Sequence, residues 1–226
     1  MKRNKHNCDL KSCSLCTNCL PEWLPALEAN RKTYNFKKGQ SLFKEGESVT
    51  GIYFLLSGKA KVHKKWGEDK ELIVRLAGAG DIVGHRGLGG ELFYPVSATA
   101  IEPVTSCFIE LDFFLATLKV NHDYSFKLLM FYAAELQESE KRMRNLAHMT
   151  VKGRIAIGLL RLKERFGVTP DGFLNINLTR QELASYVGTT YETTIRVLTE
   201  LSKDNLIALF EKDISIKDDA GLRQLT

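Results

Sequence analysis

The chain has 226 residues, a formal net charge of +5 at pH 7, 44% hydrophobic residues and 26% charged residues. These values are typical of globular proteins of one or two domains and exclude a largely disordered chain. No apolar run approaches the roughly 20 residues that cross a bilayer, and the basic first eight residues lack the apolar segment of a signal peptide. We therefore expect a cytoplasmic protein with no membrane partner. The modest positive charge allows a nucleic-acid partner without requiring one.

The N-terminal segment, residues 1–21, contains four of the five cysteines, namely Cys8, Cys13, Cys16 and Cys19. Because thiols stay reduced in the cytoplasm, clustered cysteines there indicate metal binding rather than disulfides. The last three follow one another at three-residue steps, similar to the start of a ferredoxin-type iron–sulfur run. An all-cysteine iron–sulfur cluster and an all-cysteine zinc site both need four thiolates, so the spacing does not choose between them. The alternative is a tail whose cysteines have no role.

A short helix is predicted from Pro21 to Asn30, and the pattern then changes to short apolar or alternating runs. These runs are Tyr34–Phe36, Ser41–Phe43, Ile52–Leu56, Ala60–Val62, Leu72–Val74, Ile82–Val83, Val96–Ala100 and Thr105–Leu111. Turns marked by glycine separate most of them, as at Gly39, Gly46, Gly58 and Gly80. Short, closely spaced strands of this kind predict a β-sandwich or jelly-roll barrel.

Residues 111–148 have a helical period instead. Positions at steps of three and four form one seam, which consists of Phe126, Leu129, Ala133, Leu136, Glu140, Met143 and Ala147. The seam extends over about three heptads and its flanks are polar, which favours a parallel dimer helix over residues 121–148. The alternative is a helix that packs only on its own domain. Glu140 in the seam either lowers dimer stability or points outward.

The remainder, residues 149–226, begins with an amphipathic helix from Val151 to Phe166 and an alternating run, Phe173–Leu178, that predicts a strand. Two short helices follow. The apolar runs Leu206–Phe210 and Ile214–Ile216 then predict a β-hairpin of the kind that forms the wing of a winged helix. Lys212 at its tip is either a phosphate contact, which would position rather than specify, or a solvated turn residue.

The two short helices have clear end signals. Thr179 and Glu182 form a capping box at the start of the first helix. Gly188 ends that helix, and Thr190 is the predicted N-cap of the second. Glu192 lies in the first turn of the second helix, where a negative charge suits the helix dipole. Two capped helices around a glycine turn are typical of a helix-turn-helix.

The second helix has two faces of different chemistry. Its predicted inward stripe consists of Thr194, Val197, Leu198 and Leu201. The opposite side presents Tyr191, Glu192, Ile195 and Arg196 near the N-terminal end. An arginine can donate to two acceptors of guanine, a glutamate can accept from the cytosine amino group, and an apolar side chain can contact the thymine methyl. The alternative is a solvated helix with a Glu192–Arg196 ion pair.

From about residue 32 to the end, the order of these elements resembles the CRP/FNR family of bacterial transcription regulators. The most specific motifs are Lys38–Gly46, Tyr53–Gly58, Gly80–Gly84 and Leu178–Gly188, with Glu192 and Arg196 after them. The resemblance implies an α+β fold with a cyclic-nucleotide-binding-like jelly roll over residues 22–120, the dimer helix, and a winged helix-turn-helix over residues 149–226. It also implies a homodimer on double-stranded promoter DNA, with contacts to RNA polymerase.

The resemblance also implies which residues contact DNA. In the family, the glutamate and arginine that match Glu192 and Arg196 read a TGA-type half-site, so an inverted repeat of two half-sites is expected. Tyr191 and Ile195 lie where family members differ. The full expected contact set is Thr179, Arg180, Thr190, Tyr191, Glu192, Ile195, Arg196 and Lys212.

Cyclic-nucleotide binding is not expected, although the jelly roll resembles such domains. Family members that bind these nucleotides have a glutamate where this chain has His85, and a phosphate-binding arginine where it has Val96. Valine cannot neutralise a phosphate, and loss of a bidentate arginine removes most of the affinity for this anion. His85 and Arg86 form either a different anion site or, as we expect, a solvated loop pair.

The FNR branch of the family instead holds an iron–sulfur cluster on N-terminal cysteines and one cysteine of the jelly roll. Residues 100–107 resemble the segment around that internal cysteine. The resemblance therefore implies a 4Fe-4S cluster on Cys13, Cys16, Cys19 and Cys107, with Cys8 as an alternate ligand, and control by oxygen or nitric oxide. The alternative for Cys107 is a small buried strand residue. The alternative for the protein is the same regulator sensing an unknown small molecule, with a tail that binds zinc or nothing.

No catalytic pattern is visible in the sequence: neither a Ser/His/Asp set nor a phosphate-binding loop nor a pair of carboxylates at catalytic spacing stands out. An enzyme or a pure nucleotide-binding module would also leave the helix-turn-helix without a role. We therefore expect that the protein is not an enzyme.

Overall fold

A computed structural model describes residues 13–67 and 70–226, together with the backbone of residues 2–4. The chain divides into two compact units. The first comprises Met1–Trp66 and Val74–Glu135, and the second comprises Gly67–Ile73 and Leu136–Thr226. The four predicted segments, with boundaries after residues 21, 120 and 148, stay a prediction, because compactness alone does not test them.

Two sheets build the jelly roll. Its strands in chain order are β1 (Lys2–Asn4), β2 (Arg31–Phe36), β3 (Ser41–Phe43), β4 (Gly51–Ser57), β5 (Ala60–Trp66), β6 (Lys70–Ala77), β7 (Ile82–Val83), β8 (Ser97–Ala100) and β9 (Val104–Glu110). One sheet has the order β1-β2-β9-β4-β7 with antiparallel neighbours, and the other has the order β3-β8-β5-β6. The predicted fold class is confirmed. β1 was not predicted.

Seven α-helices and a hairpin complete the described part of the chain. The helices are α1 (Leu24–Asn30), α2 (Leu111–Val120), α3 (His122–His148), α4 (Val151–Phe166), α5 (Arg180–Val187), α6 (Tyr191–Lys203) and α7 (Asp219–Arg223). The hairpin consists of β10 (Ile207–Phe210) and β11 (Asp213–Ile216). Asn121 separates α2 from α3, so the helical pattern of residues 111–148 belongs to two helices. None of the helices in these described residues is long and apolar enough to cross a membrane.

Aromatic rings dominate the core between the two sheets. Tyr53 and Phe108 lie on neighbouring strands with ring centroids 4.7 Å apart, and Phe43 stacks on Tyr94 at 4.1 Å. The buried Tyr94 hydroxyl donates to the carbonyl of Gly51 at 2.7 Å, which satisfies its polar group. Such rings bury large apolar areas and therefore contribute most of the packing energy of a small core.

The opposite face of the same sheet forms a second apolar cluster. Successive side chains of a strand point to opposite faces, so Ile52, Phe54, Cys107 and Ile109 face away from Tyr53 and Phe108. They pack with residues of the N-terminal segment and of α1, α2 and α3, which are Cys13, Leu15, Cys16, Leu27, Phe114, Tyr124 and Leu128. We call this set the outer cluster. It positions the only cysteine of the jelly roll against the N-terminal segment.

The helices and hairpin of the second unit enclose a core of their own. Its buried side chains include Ile155, Leu159, Leu162, Leu183, Val197, Leu198, Leu201, Ile207 and Leu222. The amphipathic helix predicted from Val151 to Phe166 is confirmed as α4, and the predicted hairpin is confirmed as β10 and β11.

The strand predicted at Phe173–Leu178 is wrong. The segment forms only one isolated bridge, between Val168 and Leu174. Its alternation has another cause: Leu174, Ile176 and Leu178 are buried on one side of an extended segment. The backbone N–H of Leu174 donates to the Ile214 carbonyl at 2.8 Å. Alternate burial of an extended segment therefore produced the two-residue period, although the segment does not form a continuous strand ladder.

Gly58, between β4 and β5, is required by its backbone conformation. Its φ is +81°, and an added Cβ would lie 2.0 Å from the Pro103 carbonyl oxygen. We expect Gly58→Ala to destabilise the jelly roll by at least about 1–2 kcal/mol, since alanine is strained at positive φ. Urea denaturation followed by circular dichroism measures this change.

The matched control is Gly89→Ala, because an added Cβ at Gly89 meets no atom within 4 Å and its φ is not positive. We expect the control to change the free energy of unfolding by less than about 0.5 kcal/mol. Equal effects of the two substitutions would contradict the assignment of strain to Gly58.

Candidate nucleic-acid interface and cysteine site

The helix-turn-helix is capped as predicted. The Glu182 N–H donates to the Thr179 hydroxyl at 3.1 Å, and the Thr179 N–H donates to the Glu182 carboxylate at 3.0 Å, which completes the capping box. Gly188 ends α5 in the left-handed conformation. Thr190 accepts from the Thr193 N–H at 3.2 Å and caps α6. These local bonds satisfy backbone groups that a helix end leaves unpaired, and they fix where α6 begins.

The two faces of α6 are also as predicted. The inward stripe of Thr194, Val197, Leu198 and Leu201 is buried. The opposite side presents exposed side chains near the N-terminal end, which are Tyr191, Glu192, Ile195 and Arg196. The first turns of the helix therefore offer a carboxylate, a guanidinium and apolar groups to a partner. A helix end of this kind can read base edges in a major groove.

Arg196 forms an ion pair, but not with the residue that the solvated-helix interpretation named. Its Nη1 lies 2.8 Å from Oε1 of Glu200, one turn further along α6, and its side chain is 66% exposed. The Glu192–Arg196 pair is thus wrong. An exposed pair of this type contributes little to stability, so Arg196 can leave Glu200 for a stronger partner at small cost.

Arg180 is the first residue of α5, and its side chain contacts the hairpin turn. Its Nη1 donates to the Lys212 carbonyl at 3.1 Å and its Nη2 donates to the Glu211 carbonyl at 3.0 Å. Burial lowers the pKa of its guanidinium, although the carboxylate of Asp213 opposes this effect. Lys212 is exposed at the turn. The DNA contacts of Lys212 and Arg180 stay predictions. No sequence pattern indicated that Arg180 holds the hairpin turn.

The described cysteines either belong to the outer cluster or pack against it. Cys13, Cys16 and Cys107 are buried, Cys19 is half-buried against the same cluster, and none of the four is in a disulfide. Burial raises the pKa of the Cys19 thiol to about 11, and Cys13 adds to this rise. Cys8 lies outside the described residues. Within the described ranges, no three His, Cys, Asp or Glu side chains are grouped so that they could hold one metal ion.

The cysteine segment is attached to the corner between α2 and α3. The Leu20 N–H donates to Oδ1 of the buried Asn121 at 2.7 Å, and Trp23 Nε1 donates to the Thr117 hydroxyl at 3.1 Å. Lys127 on α3 donates to Asn18. The pairs lie about a hundred positions apart along the chain, so no local pattern could have predicted them.

Tyr124, in the first turns of α3, is buried beside the tail cysteines. Burial raises the pKa of its phenol, and the charges of Cys13, Cys19 and Cys16 add to the rise. The sulfur atoms of the tail thus lie close to the helix that carries the predicted dimer seam. Tyr124 was not among the predicted site residues.

The arginines near His85 form ion pairs with carboxylates of other elements of the first unit. Arg86 Nη2 lies 2.8 Å from Oε2 of Glu135 on α3. Arg75 lies 3.0 Å from Asp81 and 3.6 Å from Glu135. The two arginines are therefore paired with carboxylates of the protein.

His85 itself is only 2% exposed. The expected solvated loop pair is wrong for this residue. Burial lowers the pKa of its imidazole to about 3, and the nearby Arg75 and Arg86 lower it further, while the Ile82 backbone and Asp81 raise it. Val96, where a phosphate-binding arginine would be required, is also buried.

The predicted dimer seam lies along one side of α3. Phe126, Leu129 and Leu136 are 63%, 62% and 62% exposed, and Met143 is exposed as well. Ala133 is half-buried, and Glu140 is exposed. Large apolar side chains at these positions leave an uncovered apolar stripe on the single chain, which is typical of a surface that binds another protein chain.

Two domain families match the chain. Residues 33–121 match the cyclic nucleotide-binding domain, and residues 153–225 match the Crp-like helix-turn-helix domain. The chain is 32% identical over 204 residues to the cAMP-activated global transcriptional regulator CRP of Salmonella typhimurium, covering 87% of this chain and 96% of that protein. It is 29% identical over 228 residues to the transcriptional activator protein Anr of Pseudomonas protegens, covering 96% and 93%.

A solved structure has the same fold. The structure of FixK2 from Bradyrhizobium japonicum superposes with a TM-score of 0.77 at 21% identity, and the match covers 86% of this chain and 96% of that one.

The buried imidazole of His85 predicts a loss of stability at acidic pH. In the unfolded chain the imidazole of His85 binds a proton near pH 6.5. In the folded protein the same imidazole stays neutral down to about pH 3. The stability is therefore present above pH 6.5 and is lost as the pH falls below it. We expect this residue alone to cost about 2 kcal/mol at pH 5, since each pKa unit corresponds to about 1.4 kcal/mol.

Urea denaturation of the wild type and of His85→Gln between pH 7.5 and pH 5 measures this effect. We expect a shallower pH dependence for His85→Gln than for the wild type. An identical pH dependence of wild type and His85→Gln would contradict the prediction.

Proposed function

Since this chain belongs to the CRP/FNR family of DNA-binding transcription regulators, we propose that it binds an inverted repeat as a homodimer under the control of an iron–sulfur cluster. The observation that carries the DNA-binding part is the exposed N-terminal end of α6, where Glu192 and Arg196 lie next to each other on one side. The cluster part is supported by Cys13, Cys16 and Cys107, which belong to one apolar cluster, and by Cys19, which packs against it.

Glu192 and Arg196 are the proposed base-reading pair. They are four positions apart on a helix, so their side chains project from neighbouring turns of one face. Arg196 can donate to the two acceptors of guanine and Glu192 can accept from the cytosine amino group. A complementary G·C pair, or neighbouring pairs within a TGA-type half-site, satisfies both. Tyr191 and Ile195 then lie against the flanking bases.

The exposed stripe of α3 supports the homodimer. Its large apolar residues recur at the spacing of a two-stranded coiled coil, and a second copy of the same helix presents a complementary stripe. A two-fold symmetric dimer places two recognition helices in opposite senses along the duplex. The matching DNA site is therefore an inverted repeat.

The four thiols suit an iron–sulfur cluster better than a hard cation, because soft thiolate ligands favour iron–sulfur clusters or zinc. The alternation of β9 turns Cys107 towards the N-terminal segment that supplies Cys13, Cys16 and Cys19. When bound, the cluster would supply iron–sulfur bonds that oxygen or nitric oxide can break. Zinc remains the alternative, although a structural zinc site needs four ligands around one ion.

The contacts of the tail explain how such a centre could act on DNA binding. Leu20 and Trp23 hold the segment to Asn121 and Thr117, and Tyr124 lies beside the thiols at the start of α3. Holding the four cysteines together would therefore order the beginning of the helix that bears the dimer seam. Such a centre can shift the dimer only by binding one state of the protein better than the other.

An unknown small molecule is the second candidate signal. An open groove of about 610 Å³ lies at one end of the jelly roll, with Tyr34, Tyr53 and Phe108 in its wall and Lys32 and Glu110 among its lining residues. Its volume suits a small ligand. Cyclic nucleotides are not proposed, because Val96 supplies no charge and Arg86 is paired with Glu135.

Arg196→Ala tests the base-reading pair. Loss of a bidentate contact in each half-site costs about 1–3 kcal/mol per site, so we expect at least a tenfold rise in Kd. Fluorescence anisotropy measures Kd for a duplex that the wild type selects from a randomised library. We expect Arg196→Ala to lose discrimination at the guanine position of each half-site.

The matched control is Arg223→Ala, which removes the same charge from the exposed surface of α7. It should leave Kd within about twofold at equal salt, since it lies outside the expected contact set. Equal losses for both variants would show a general charge effect and contradict base reading by Arg196.

Anaerobic purification tests the cluster. We expect a coloured protein with iron and sulfide, and loss of both in Cys16→Ser and in Cys107→Ser. Retention of the cluster in Cys8→Ser would assign the fourth ligand to the described set, whereas its loss would place Cys8 among the ligands. Circular dichroism checks that each variant is folded.

A colourless wild-type protein without iron and sulfide would refute the cluster. Zinc at one equivalent would support the zinc alternative, and no metal with intact DNA binding would leave a small-molecule signal.

A further inference from the structure

The turn that ends α5, formed by Tyr186, Val187 and the capping residue Gly188, is held by side chains from outside the helix-turn-helix. Arg142, near the C-terminal end of α3, donates from Nη2 to the Tyr186 carbonyl at 3.0 Å. Its guanidinium lies over the Tyr186 ring, 4.9 Å from the centroid. The same Nη2 lies 3.3 Å from the Ile73 carbonyl. Arg142 therefore connects α3 both to this turn and to the Ile73 carbonyl, all within the second unit.

Arg154, in the first turn of α4, contacts the same turn from another element. Its Nε donates to the Val187 carbonyl at 3.1 Å, and its Nη2 donates to the Gly188 carbonyl at 3.0 Å. Its Nη1 donates to the carbonyl of Met149, just after α3, at 2.8 Å. These carbonyls lie at the C-terminal ends of α5 and α3, where the helix dipoles favour a cation. One guanidinium thus joins two helix ends.

Leu146 of α3 completes the contact without charge. A Cβ added to Gly188 would lie 2.4 Å from Cδ2 of Leu146. The backbone of the turn and this side chain therefore approach more closely than any residue except glycine allows. Arg142, Leu146 and Arg154 together form what we call the turn clamp.

We infer that the turn clamp positions the recognition helix α6 relative to the C-terminal part of α3. Its three members contact the backbone or ring of Tyr186–Gly188, and they do not belong to the exposed face of α6. α6 begins three residues after Gly188, at Tyr191. A turn that cannot rotate against α3 therefore fixes the direction in which α6 leaves it.

The consequence concerns the full operator rather than one half-site, and it rests on the proposed binding of an inverted repeat. Two half-sites can be occupied together only if both recognition helices match their spacing and direction. The gain from the second half-site depends on this geometry and is lost when the geometry forbids simultaneous binding. Contact with a single half-site needs only one correctly folded α6. Loosening the turn clamp should therefore weaken full-site binding selectively.

The experiment compares two duplexes of equal length. One is the operator selected by the wild type from a randomised library, and the other has one of its half-sites scrambled. For Arg142→Gln and for Leu146→Ala, we expect the ratio of Kd for the scrambled duplex to Kd for the operator to fall at least about tenfold. We expect Kd for the scrambled duplex to stay within about twofold of wild type.

Two controls separate positioning from other effects. Arg161→Gln removes the ion pair between Arg161 of α4 and Glu138 of α3, which are 2.6 Å apart. This pair does not contact Tyr186–Gly188, so the substitution should leave the ratio of the two Kd values unchanged. Arg196→Ala removes a proposed base contact and should weaken binding to both duplexes. Thermal unfolding of each variant confirms that the domain is folded. Leu146→Ala keeps the test valid if loss of an arginine unfolds the domain, since it changes no charge.

The outcomes distinguish the two ideas. A wild type that binds both duplexes equally would refute the proposed inverted repeat. A wild type that prefers the full operator, with clamp variants that lose equal affinity for both duplexes, would overturn the positioning role. A selective loss on the full operator in both clamp variants, with an unchanged ratio for Arg161→Gln, supports it.

Discussion

Side-chain alternation along β4 and β9 places two different surfaces on one sheet. Tyr53 and Phe108 point into the jelly roll and pack its aromatic core. Their neighbours Phe54 and Cys107 point the other way and contact the N-terminal segment and the helices. A shift of register by one residue would exchange the two sets. The position of Cys107 is therefore determined by the same packing that stabilises the jelly roll.

Unpaired helix-end carbonyls impose a similar constraint in the second unit. Arg154 satisfies carbonyls at the ends of α3 and α5, and Arg180 satisfies two carbonyls of the hairpin turn. In both places one planar guanidinium joins two elements that are distant in sequence. Arginine suits this role because its donors form a rigid fork. The presentation of α6 and the hairpin thus depends on backbone groups as much as on apolar packing.

Local signals explain which parts of this fold were predictable from the sequence. The caps at Thr179 and Thr190, the inward stripe of α6 and the limits of α4 follow from contacts within a few residues. The error at Phe173–Leu178 arose because alternate burial and strand pairing give the same period. The ion pair of Arg196 with Glu200, the attachment of Leu20 to Asn121 and the turn clamp depend on rotamers or on distant neighbours, which no periodicity encodes.

The charges beside His85 bear on whether an anion can bind in this part of the jelly roll. Glu135 of α3 lies within ion-pair distance of both Arg75 and Arg86, and Asp81 supplies a second carboxylate. The protein thus provides the negative charge that these arginines need, and an incoming anion would have to displace a partly buried carboxylate. Removing one partner of such a pair is costly, because it leaves a charge unpaired. This network therefore disfavours anion binding beside His85. The buried thiols of the outer cluster lie on the opposite face of the sheet from the aromatic core, next to the start of α3.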